Sequence, residues 1–338
     1  MASVFITGAS GFIGGQVLKA IIDHPRQYGT IRALVRDPDA AKLIEEAFPQ
    51  VQTVIGDLGN VSLVEKEAEK ATVVLNVASN KHIDSVRAIH RGLAKRQSPS
   101  YWVQVSGASL LAADELASSS FQPGSASDVI FDDVADAAKI RSLIRAHPSR
   151  VVDNYLLDVA ATDYPKIRSA VVFPPIVYGR GEGPVNKKSI QIPALCRVAL
   201  AKGRAVQVGK GLSRWGSVHV RDLARVWAEL ADAGANGCKV AEVWGEQGLY
   251  FPSAQDISFG EISELVARVA QESKLISSSE VEQITPEEAA KLLPGGSVFF
   301  GTNALVKSQR TEKELELKNV EEPITAEIKR ALLEEAGV

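Results

Sequence analysis

The feature that most constrains this sequence is a glycine-rich turn near residue 10. Residues 3–6 read Ser-Val-Phe-Ile, a short apolar run, and residues 7–14 read Thr-Gly-Ala-Ser-Gly-Phe-Ile-Gly before an amphipathic stretch over 16–22. This pattern predicts a strand, a tight turn and a helix. Gly8 permits the turn, Gly11 leaves room for a phosphate, and Gly14 lets the helix pack closely on the strand. Because a helix N-terminus favours an anion, the motif predicts a dinucleotide-binding site.

Strand-like and helix-like segments continue to alternate after this turn. The predicted strands are 31–37, 51–55, 72–76, 101–106 and 169–173, and the predicted helices are 61–70, 83–96, 148–161, 190–201 and 220–233. Helices between strands indicate βαβ units, and right-handed crossovers then give an α/β fold with a doubly wound parallel sheet. We expect residues 1–180 to form a nucleotide-binding domain. Residues 181–338 are expected to form mainly a smaller C-terminal substrate lobe, partly interleaved with the first.

Two stretches differ from this alternation. Residues 112–135 are small and polar, and such a long segment after a strand end predicts a lid, a mobile surface loop or a disordered insertion. Residues 312–335 mix Glu and Lys with Leu, Ile and Ala, which is typical of a pair of solvated amphipathic helices.

Composition narrows the class of protein further. The 338 residues include 38 basic and 41 acidic side chains, and this near-neutral balance gives no support for nucleic-acid binding. No apolar run reaches the roughly 20 residues that span a bilayer. No basic leader precedes the first strand, which argues against a signal peptide. The two cysteines, Cys196 and Cys238, lack CxxC spacing and favour a reducing compartment. We therefore expect a cytoplasmic protein without membrane or nucleic-acid partners.

Two motifs connect the sequence to a known family. The TGxxGxxG spacing over 7–14 and the run Trp-Gly-Ser-Val-His-Val-Arg-Asp-Leu-Ala over 215–224 resemble the short-chain dehydrogenase/reductase superfamily, in its extended and atypical, epimerase/dehydratase-like branches. With other matches along the strands, the resemblance spans nearly the whole chain. It implies a Rossmann-type fold, a nicotinamide dinucleotide cofactor and a small-molecule substrate. Members of this superfamily often dimerise through helices flanking the sheet, so a homodimer is one expectation.

The predicted cofactor contacts follow the ends of the strands. Arg36 ends the second strand, where an acid would bind the ribose 2′-hydroxyl of NAD and an arginine would pair with the 2′-phosphate of NADP. Arg36 therefore favours NADP(H), with Asp37 as the alternative ribose contact and Arg32 as a second cation nearby. The resemblance implies further contacts to the adenine, the ribose and the nicotinamide. The predicted cofactor residues are Gly8, Ser10, Gly11, Phe12, Ile13, Gly14, Arg36, Asp57, Leu58, Val77, Ala78, Ser79, Pro174 and Ile176.

The family's usual catalytic pair is absent from this chain. That chemistry uses a tyrosine four residues before a lysine, because the ammonium lowers the pKa of the phenol beside the nicotinamide. None of the six tyrosines has a lysine four positions later. The substitute candidates are Ser106 and Ser109, after the fifth strand, and Tyr155, on the helix expected to carry the pair. His147 is a further candidate proton donor, and a structural role is the alternative for each of these residues.

Three functions fit these patterns. The first is NADPH-dependent reduction of a carbonyl or imine on a small organic substrate, with a non-standard proton donor or with none from the protein. The second is a non-catalytic regulator that senses NADP(H), and the third is an isomerase or cyclase that retains the nucleotide. The five histidines form no HExxH or other metal-ligand spacing, so we expect no metal site.

Overall fold

The protein is built around one parallel β-sheet with helices on both faces. A computed structural model describes residues 1–338. The strands are β1 (Ser3–Thr7), β2 (Thr30–Val35), β3 (Val51–Ile55), β4 (Val73–Asn76), β5 (Ser100–Val105), β6 (Ile130–Asp132), β7 (Ile167–Val172), β8 (Ile176–Tyr178), β9 (Ala205–Val208), β10 (Arg214–His219), β11 (Leu249–Tyr250), β12 (Gln255–Ser258), β13 (Val281–Ile284) and β14 (Leu305–Lys307). The helices are α1 (Phe12–Asp23), α2 (Pro38–Ala47), α3 (Val61–Lys70), α4 (Ile83–Ala94), α5 (Ala113–Ala117), α6 (Ala137–Ala146), α7 (Val151–Thr162), α8 (Gln191–Lys202), α9 (Val220–Ala235), α10 (Phe259–Glu272), α11 (Pro286–Leu292), α12 (Gly296–Phe299), α13 (Arg310–Leu315) and α14 (Ile324–Ala336).

Seven strands form the central sheet in the order β11-β7-β5-β4-β1-β2-β3. Every neighbouring pair in it is parallel. The chain runs outward from β1 to β3, then crosses to β4 on the other side of β1 and continues outward to β7. The direction reverses between β1 and β4, and in doubly wound sheets the ligand crevice lies at the carboxyl ends of the two strands where this happens. The predicted doubly wound α/β fold is confirmed.

Alternate side chains of the central strands enter two separate cores. Phe5 and Trp102 lie in the core beneath α3, α4 and α7, whereas Ile6 and Val103 lie in the core beneath α1 and α9. All four side chains are fully buried. Burial on both faces explains why these strands appear in the sequence as continuous apolar runs without alternation.

The C-terminal half contributes both to the central sheet and to a lobe of its own. β11 pairs with β7 at the edge of the sheet, and α9 packs beside α1. The lobe holds three small sheets with the strand orders β12-β10-β8, β13-β9 and β14-β6. The small sheets also take in β6 and β8, which precede residue 180. The domain boundary near residue 180 and the partly interleaved C-terminal lobe stay predictions. None of the helices combines the length and apolar character needed to cross a lipid bilayer.

The polar segment 112–135 is not the disordered insertion that the sequence offers as one alternative, whereas its role as a lid or mobile loop stays a prediction. It contains α5 and β6, and β6 pairs in parallel with β14. The fully buried Asp133 accepts hydrogen bonds from the N–H groups of Gln309 and Arg310. The N–H of Asn303 donates to Glu115 Oε2 at 2.7 Å. Contacts with residues far along the chain therefore hold this segment in place.

Candidate functional site

The glycine turn between β1 and α1 has the close backbone approaches that its motif predicts. Gly8 has φ +81°, in the left-handed region, and a Cβ there would lie 2.8 Å from the backbone nitrogen of Ala78. A Cβ on Gly14 would lie 2.0 Å from the carbonyl oxygen of Gly8. Only glycine fits at these two positions, because the helix and the end of β4 both press on the turn.

The N-terminus of α1 presents free N–H groups beside this turn. The N–H groups of Gly11 and Gly15 donate to carbonyl oxygens within the turn, whereas those of Phe12, Ile13 and Gly14 have no backbone acceptor. No side chain caps the helix, and the half-buried Ser10 hydroxyl makes no hydrogen bond within the protein. Unpaired donors at a helix N-terminus suit a pyrophosphate. This part of the chain therefore fits a dinucleotide.

A chain of buried hydrogen bonds joins the carboxyl ends of three strands below the crevice. The hydroxyl of Thr7 donates to Asn76 Oδ1 and accepts from the N–H of Ala78 at 3.3 Å. Asn76 Nδ2 donates to Gln104 Oε1 at 2.7 Å. Gln104 Nε2 in turn donates to the carbonyl oxygen of Ser79 at 3.0 Å. These bonds fix the phosphate turn, the end of β4 and the end of β5 relative to one another.

The residues at the end of β2 differ in their freedom to bind a ligand. Arg36 is exposed and has no hydrogen bond or ion pair within the protein. Asp37 caps α2, because its carboxylate accepts the N–H of Asp39 at 3.0 Å. Arg32 faces Glu67, with 3.5 Å between guanidinium nitrogen and carboxylate oxygen. Arg36 is therefore the one of these three charged groups that no protein group engages.

The predicted adenine contacts lie after β3, in a turn held by its own side chain. Asp57 Oδ1 accepts the N–H groups of Gly59 and Asn60 at 2.8 and 3.2 Å. Asp57 is exposed and Leu58 is half-buried. Both lie at the carboxyl edge of the sheet that carries the glycine turn, and their contact with adenine stays a prediction.

The residues predicted to line the nicotinamide end follow β4 and β7. Val77 and Ser79 are half-buried and Ala78 is exposed, so this strand end borders the crevice. Pro174 and Ile176 are buried, and the carbonyl oxygen of Pro174 accepts the N–H of Ala108 at 3.0 Å. The side chains of these last two residues therefore belong to the core, and their predicted role is left to backbone atoms.

The end of β5 carries a polar cluster formed by Ser106, Ser109, Arg150 and Asp153. Arg150 Nη2 donates to Ser106 Oγ and to the carbonyl oxygen of Gly107, both at 3.0 Å. Arg150 Nη1 donates to Ser109 Oγ at 3.2 Å, and Arg150 Nε donates to Asp153 Oδ2 at 2.7 Å. The start of α7 thus brings a guanidinium to both predicted serines. We call these four residues the strand-end cluster.

Asp153 is the most enclosed member of the strand-end cluster. Its side chain is 3% exposed, and its second oxygen, Oδ1, is buried without a hydrogen-bond partner of normal geometry. Burial raises the pKa of the Asp153 carboxyl, and the nearby Arg150 guanidinium and Ser106 hydroxyl oppose that rise. The cluster therefore holds a carboxyl that keeps its proton more readily than an ordinary aspartate.

Tyr155 and His147 are not brought to the strand-end cluster. The hydroxyl of Tyr155 hydrogen-bonds His90 Nδ1 on α4 at 2.7 Å, and burial raises the pKa of the phenol. Tyr155 follows Asp153 by two residues, about 200° around the helix, so the two side chains leave α7 on opposite faces. His147 Nε2 lies 2.8 Å from a carboxylate oxygen of Asp114. The candidate site therefore does not include Tyr155.

Sequence reasoning missed Arg150 altogether. The available signal was its spacing of three residues from Asp153, which places both side chains on one face of a helix start. The contact with Ser106 spans 44 residues and follows only from the packing of α7 on β5.

A cleft of about 530 Å³ lies elsewhere, between the end of β8 and α14. It is lined by Tyr178, Arg180, Lys187, His219, Arg221 and Arg330, among others. It contains none of the predicted cofactor or catalytic residues, and each of its arginines is paired with a glutamate. We therefore place the candidate site at the crevice and the strand-end cluster. No group of three or more His, Cys, Asp or Glu side chains is arranged to hold a metal ion, and the expected absence of a metal stays a prediction.

Comparison with known proteins agrees with the geometry of the crevice. A family model described as NAD(P)H-binding matches residues 8–147. The chain is 32% identical to the oxidase ucsJ of an Acremonium species, over 98% of this chain and 97% of that protein.

Solved structures of similar fold come from enzymes of nucleotide sugars. The dTDP-glucose 4,6-dehydratase DesIV of Streptomyces venezuelae has a TM-score of 0.67 at 14% identity, over 98% of this chain and 95% of that one. The UDP-N-acetylglucosamine 4-epimerase of Methanobrevibacter ruminantium M1 has a TM-score of 0.63 at 14% identity, over 98% and 97%. At such identities the likeness concerns the fold alone. The match to the oxidase ucsJ shows that the chain belongs to the family of that protein, with an NAD(P)H-binding part over residues 8–147.

Proposed function

We propose that this protein is an NADP(H)-dependent oxidoreductase that reduces a carbonyl or imine group of a small organic substrate. One observation carries the proposal. The free N–H groups of α1 and the strand-end cluster lie at the carboxyl edge of the same sheet, joined by the buried bonds from Thr7 to Gln104. A dinucleotide bound across that edge has its phosphates at the N–H groups of α1 and its nicotinamide toward the strand-end cluster.

The preference for NADP(H) over NAD(H) rests on the side chains at the end of β2. Arg36 is exposed and unpaired, while the neighbouring Asp37 is engaged as a helix cap. A free guanidinium suits a 2′-phosphate, and an engaged carboxylate is poorly available to a 2′-hydroxyl.

The residues of the strand-end cluster are proposed to handle the substrate. Bound NADPH supplies a hydride. Ser106 and Arg150 offer hydrogen-bond donors to the oxygen or nitrogen that gains electrons, and Ser109 holds the guanidinium in place. No tyrosine is needed for this arrangement, which agrees with the missing tyrosine–lysine pair.

Turnover with a panel of small substrates tests the proposal. The purified protein is given NADPH or NADH with aldehydes, ketones and imines, and the loss of nicotinamide absorbance is followed. Because the similar protein from Acremonium is named an oxidase, NADP⁺ is also supplied with the matching alcohols and amines. Turnover with a preference for the phosphorylated cofactor supports the proposal. Background rates in both directions contradict it.

A second candidate is an isomerase or dehydratase that keeps its nucleotide. The observation in its favour is the fold shared with proteins named as an epimerase and a dehydratase. The ratio of NADPH consumed to product formed separates the two. A ratio of one supports the reductase, and product without net consumption of cofactor supports the second candidate.

A further inference from the structure

We propose that the proton needed by the reduced substrate is held by Asp153 and reaches the substrate through the Ser106 hydroxyl, while Arg150 binds the substrate atom that accepts it. The proposal rests on the proposed function and deepens it. It assigns a proton path to a chain that has no tyrosine–lysine pair. Ser106 is the catalytic residue in this scheme, and Asp153 acts through it.

Arg150 has one donor left for a substrate. A guanidinium carries five N–H groups. Nε binds Asp153, Nη2 binds Ser106 and the Gly107 carbonyl, and Nη1 binds Ser109, so four are used. The fifth, on Nη1, has no partner, and the side chain is 18% exposed. Its remaining N–H is therefore free to bind the oxygen or nitrogen of a substrate seated over the end of β5.

The hydrogen of the Ser106 hydroxyl is not used in its bond with Arg150. Ser106 Oγ accepts a hydrogen bond from Nη2, so its own hydrogen is free to face another acceptor. The Asp153 carboxyl is near enough for its ionised form to be stabilised by this hydroxyl. Asp153 Oδ1 is the buried oxygen without a partner. A proton on the Asp153 carboxyl makes this buried group a hydrogen-bond donor, and the proposal assigns the nearby Ser106 hydroxyl oxygen as its acceptor.

No other group packed against Asp153 is suited to hold the proton. Arg150 faces it from the start of α7 with a guanidinium that only donates hydrogen bonds, and Ser106 faces it from the residue after β5 with a hydroxyl. His147 is paired with Asp114, outside this contact. Because burial raises the pKa of the Asp153 carboxyl, the carboxyl is suited to hold a proton and release it when negative charge develops nearby.

The step balances in atoms and electrons. A hydride adds to the carbonyl carbon, and the π electrons of the C=O bond move onto oxygen, beside the free N–H of Arg150. The oxygen takes the Ser106 hydroxyl proton, and Ser106 Oγ takes the proton of Asp153. Asp153 is left as a carboxylate next to the Arg150 guanidinium and regains a proton from solvent. An iminium substrate already carries its proton and does not need this path.

Two substitutions interrupt the path without removing Arg150. Asp153→Asn keeps an oxygen for Arg150 Nε but has no acidic proton, and Ser106→Ala removes the relay. Each should lower kcat on a ketone by about 100-fold or more, while the Kd for NADPH stays within about twofold. The matched control is Asp158→Asn on the same helix, an exposed residue paired with Arg145, and its kcat should be unchanged.

Two readouts separate a proton role from a merely structural one. In the wild type, kcat should fall as pH rises through the pKa of Asp153, and this limb should be absent from Asp153→Asn. The loss caused by Asp153→Asn should also be at least about tenfold smaller on an iminium substrate than on a ketone. Equal losses on both substrates with an unchanged pH profile would overturn the proposal.

A measurement without cofactor or turnover completes the test. Side-chain ¹³C NMR of aspartate-labelled protein should show a carboxyl that titrates above the ordinary aspartate range and disappears in Asp153→Asn. An ordinary titration at Asp153 contradicts the proton path. If the wild type turns over and Asp153→Asn retains full activity, only this inference fails. If the wild type turns over none of the panel, the proposed function fails and the inference fails with it.

Discussion

At the scale of single residues, the charged side chains of β2 and its end differ in whether they already have a partner within the protein. Asp37 is committed to the N–H of Asp39, and Arg32 faces Glu67. Arg36 has no partner, so its guanidinium is available without the loss of any interaction within the protein. A phosphate bound there gains a charge-assisted hydrogen bond that a hydroxyl does not supply.

Reversing the charge of Arg36 should change the cofactor preference. Arg36→Asp should weaken NADPH binding by about 10- to 100-fold, because hydrogen bonds to charged groups contribute about 1.5–3 kcal/mol. NADH binding should change by less than about threefold. Both Kd values are measured by fluorescence titration. The control is Arg32→Ala, which removes a charge from the same strand and should leave the NADPH to NADH ratio as it was. An unchanged ratio in Arg36→Asp would mean that another group binds the 2′-phosphate.

At the scale of elements, α7 and the central strands each serve two purposes. One face of α7 carries Asp153 toward β5, and the opposite face carries Tyr155 to His90 on α4. Thr7 and Asn76 end β1 and β4, and Gln104 is the last residue but one of β5; all three are fully buried and hydrogen-bonded in sequence below the crevice. These hydrogen bonds fix the positions of the ends of β1, β4 and β5 relative to one another. They therefore also fix the position of the glycine turn relative to the strand-end cluster.

Breaking the hydrogen bonds between the side chains of Thr7, Asn76 and Gln104 should destabilise the sheet. Asn76→Leu leaves the Thr7 hydroxyl hydrogen without its acceptor and Gln104 Oε1 without its donor, and each unsatisfied buried group costs about 1–3 kcal/mol. The midpoint of urea unfolding should fall accordingly. The control is Gln52→Leu at an exposed position of β3, which should change the free energy of unfolding by no more than about 0.5 kcal/mol. Equal midpoints of unfolding for the two variants would show that the hydrogen bonds of Asn76 with Thr7 and Gln104 add nothing to stability.

At the scale of the whole molecule, long-range contacts tie the segment after β5 to the C-terminal lobe. Asp133 Oδ1 accepts two backbone N–H groups from the start of α13, and the buried Arg310 donates to the carbonyl oxygen of Asp133 at 3.0 Å. Asp133 Oδ2 is buried without a partner. Burial raises the pKa of Asp133 to about 6 from its ordinary value of 3.8.

This raised pKa predicts a pH dependence of stability. Between pH 3.8 and about 6 the folded chain binds the Asp133 proton and the unfolded chain releases it. The stability due to this group therefore falls as pH rises through that window, by about 3 kcal/mol at most. Relative to Asp133→Asn, the wild type should lose stability between pH 4 and 7 in chemical unfolding. A constant difference across that range contradicts the prediction.

The amino-acid sequence by itself determined six of the seven strands of the central sheet and the location of the glycine turn, whereas α2, β11 and the strands of the three small sheets were not predicted. Gly8 and Gly14 reveal the turn in the sequence because glycine is required there for a local reason. The backbone is tight and lies beside a helix N-terminus. Helix α4 was predicted over 83–96, close to the Ile83–Ala94 that it occupies, because its apolar residues recur at helical spacing. The alternation of elements was enough to predict a doubly wound sheet, since right-handed crossovers leave few other arrangements.

Only the tertiary structure decided which side chains meet at the site. Arg150 reaches Ser106 because α7 packs on β5, and Tyr155 is carried away because it leaves the other face of the same helix. The segment around Asp133 is ordered by residues near Arg310, 177 positions later. Periodicity and motif spacing describe neighbours along the chain, whereas these contacts depend on how distant elements are oriented when they pack.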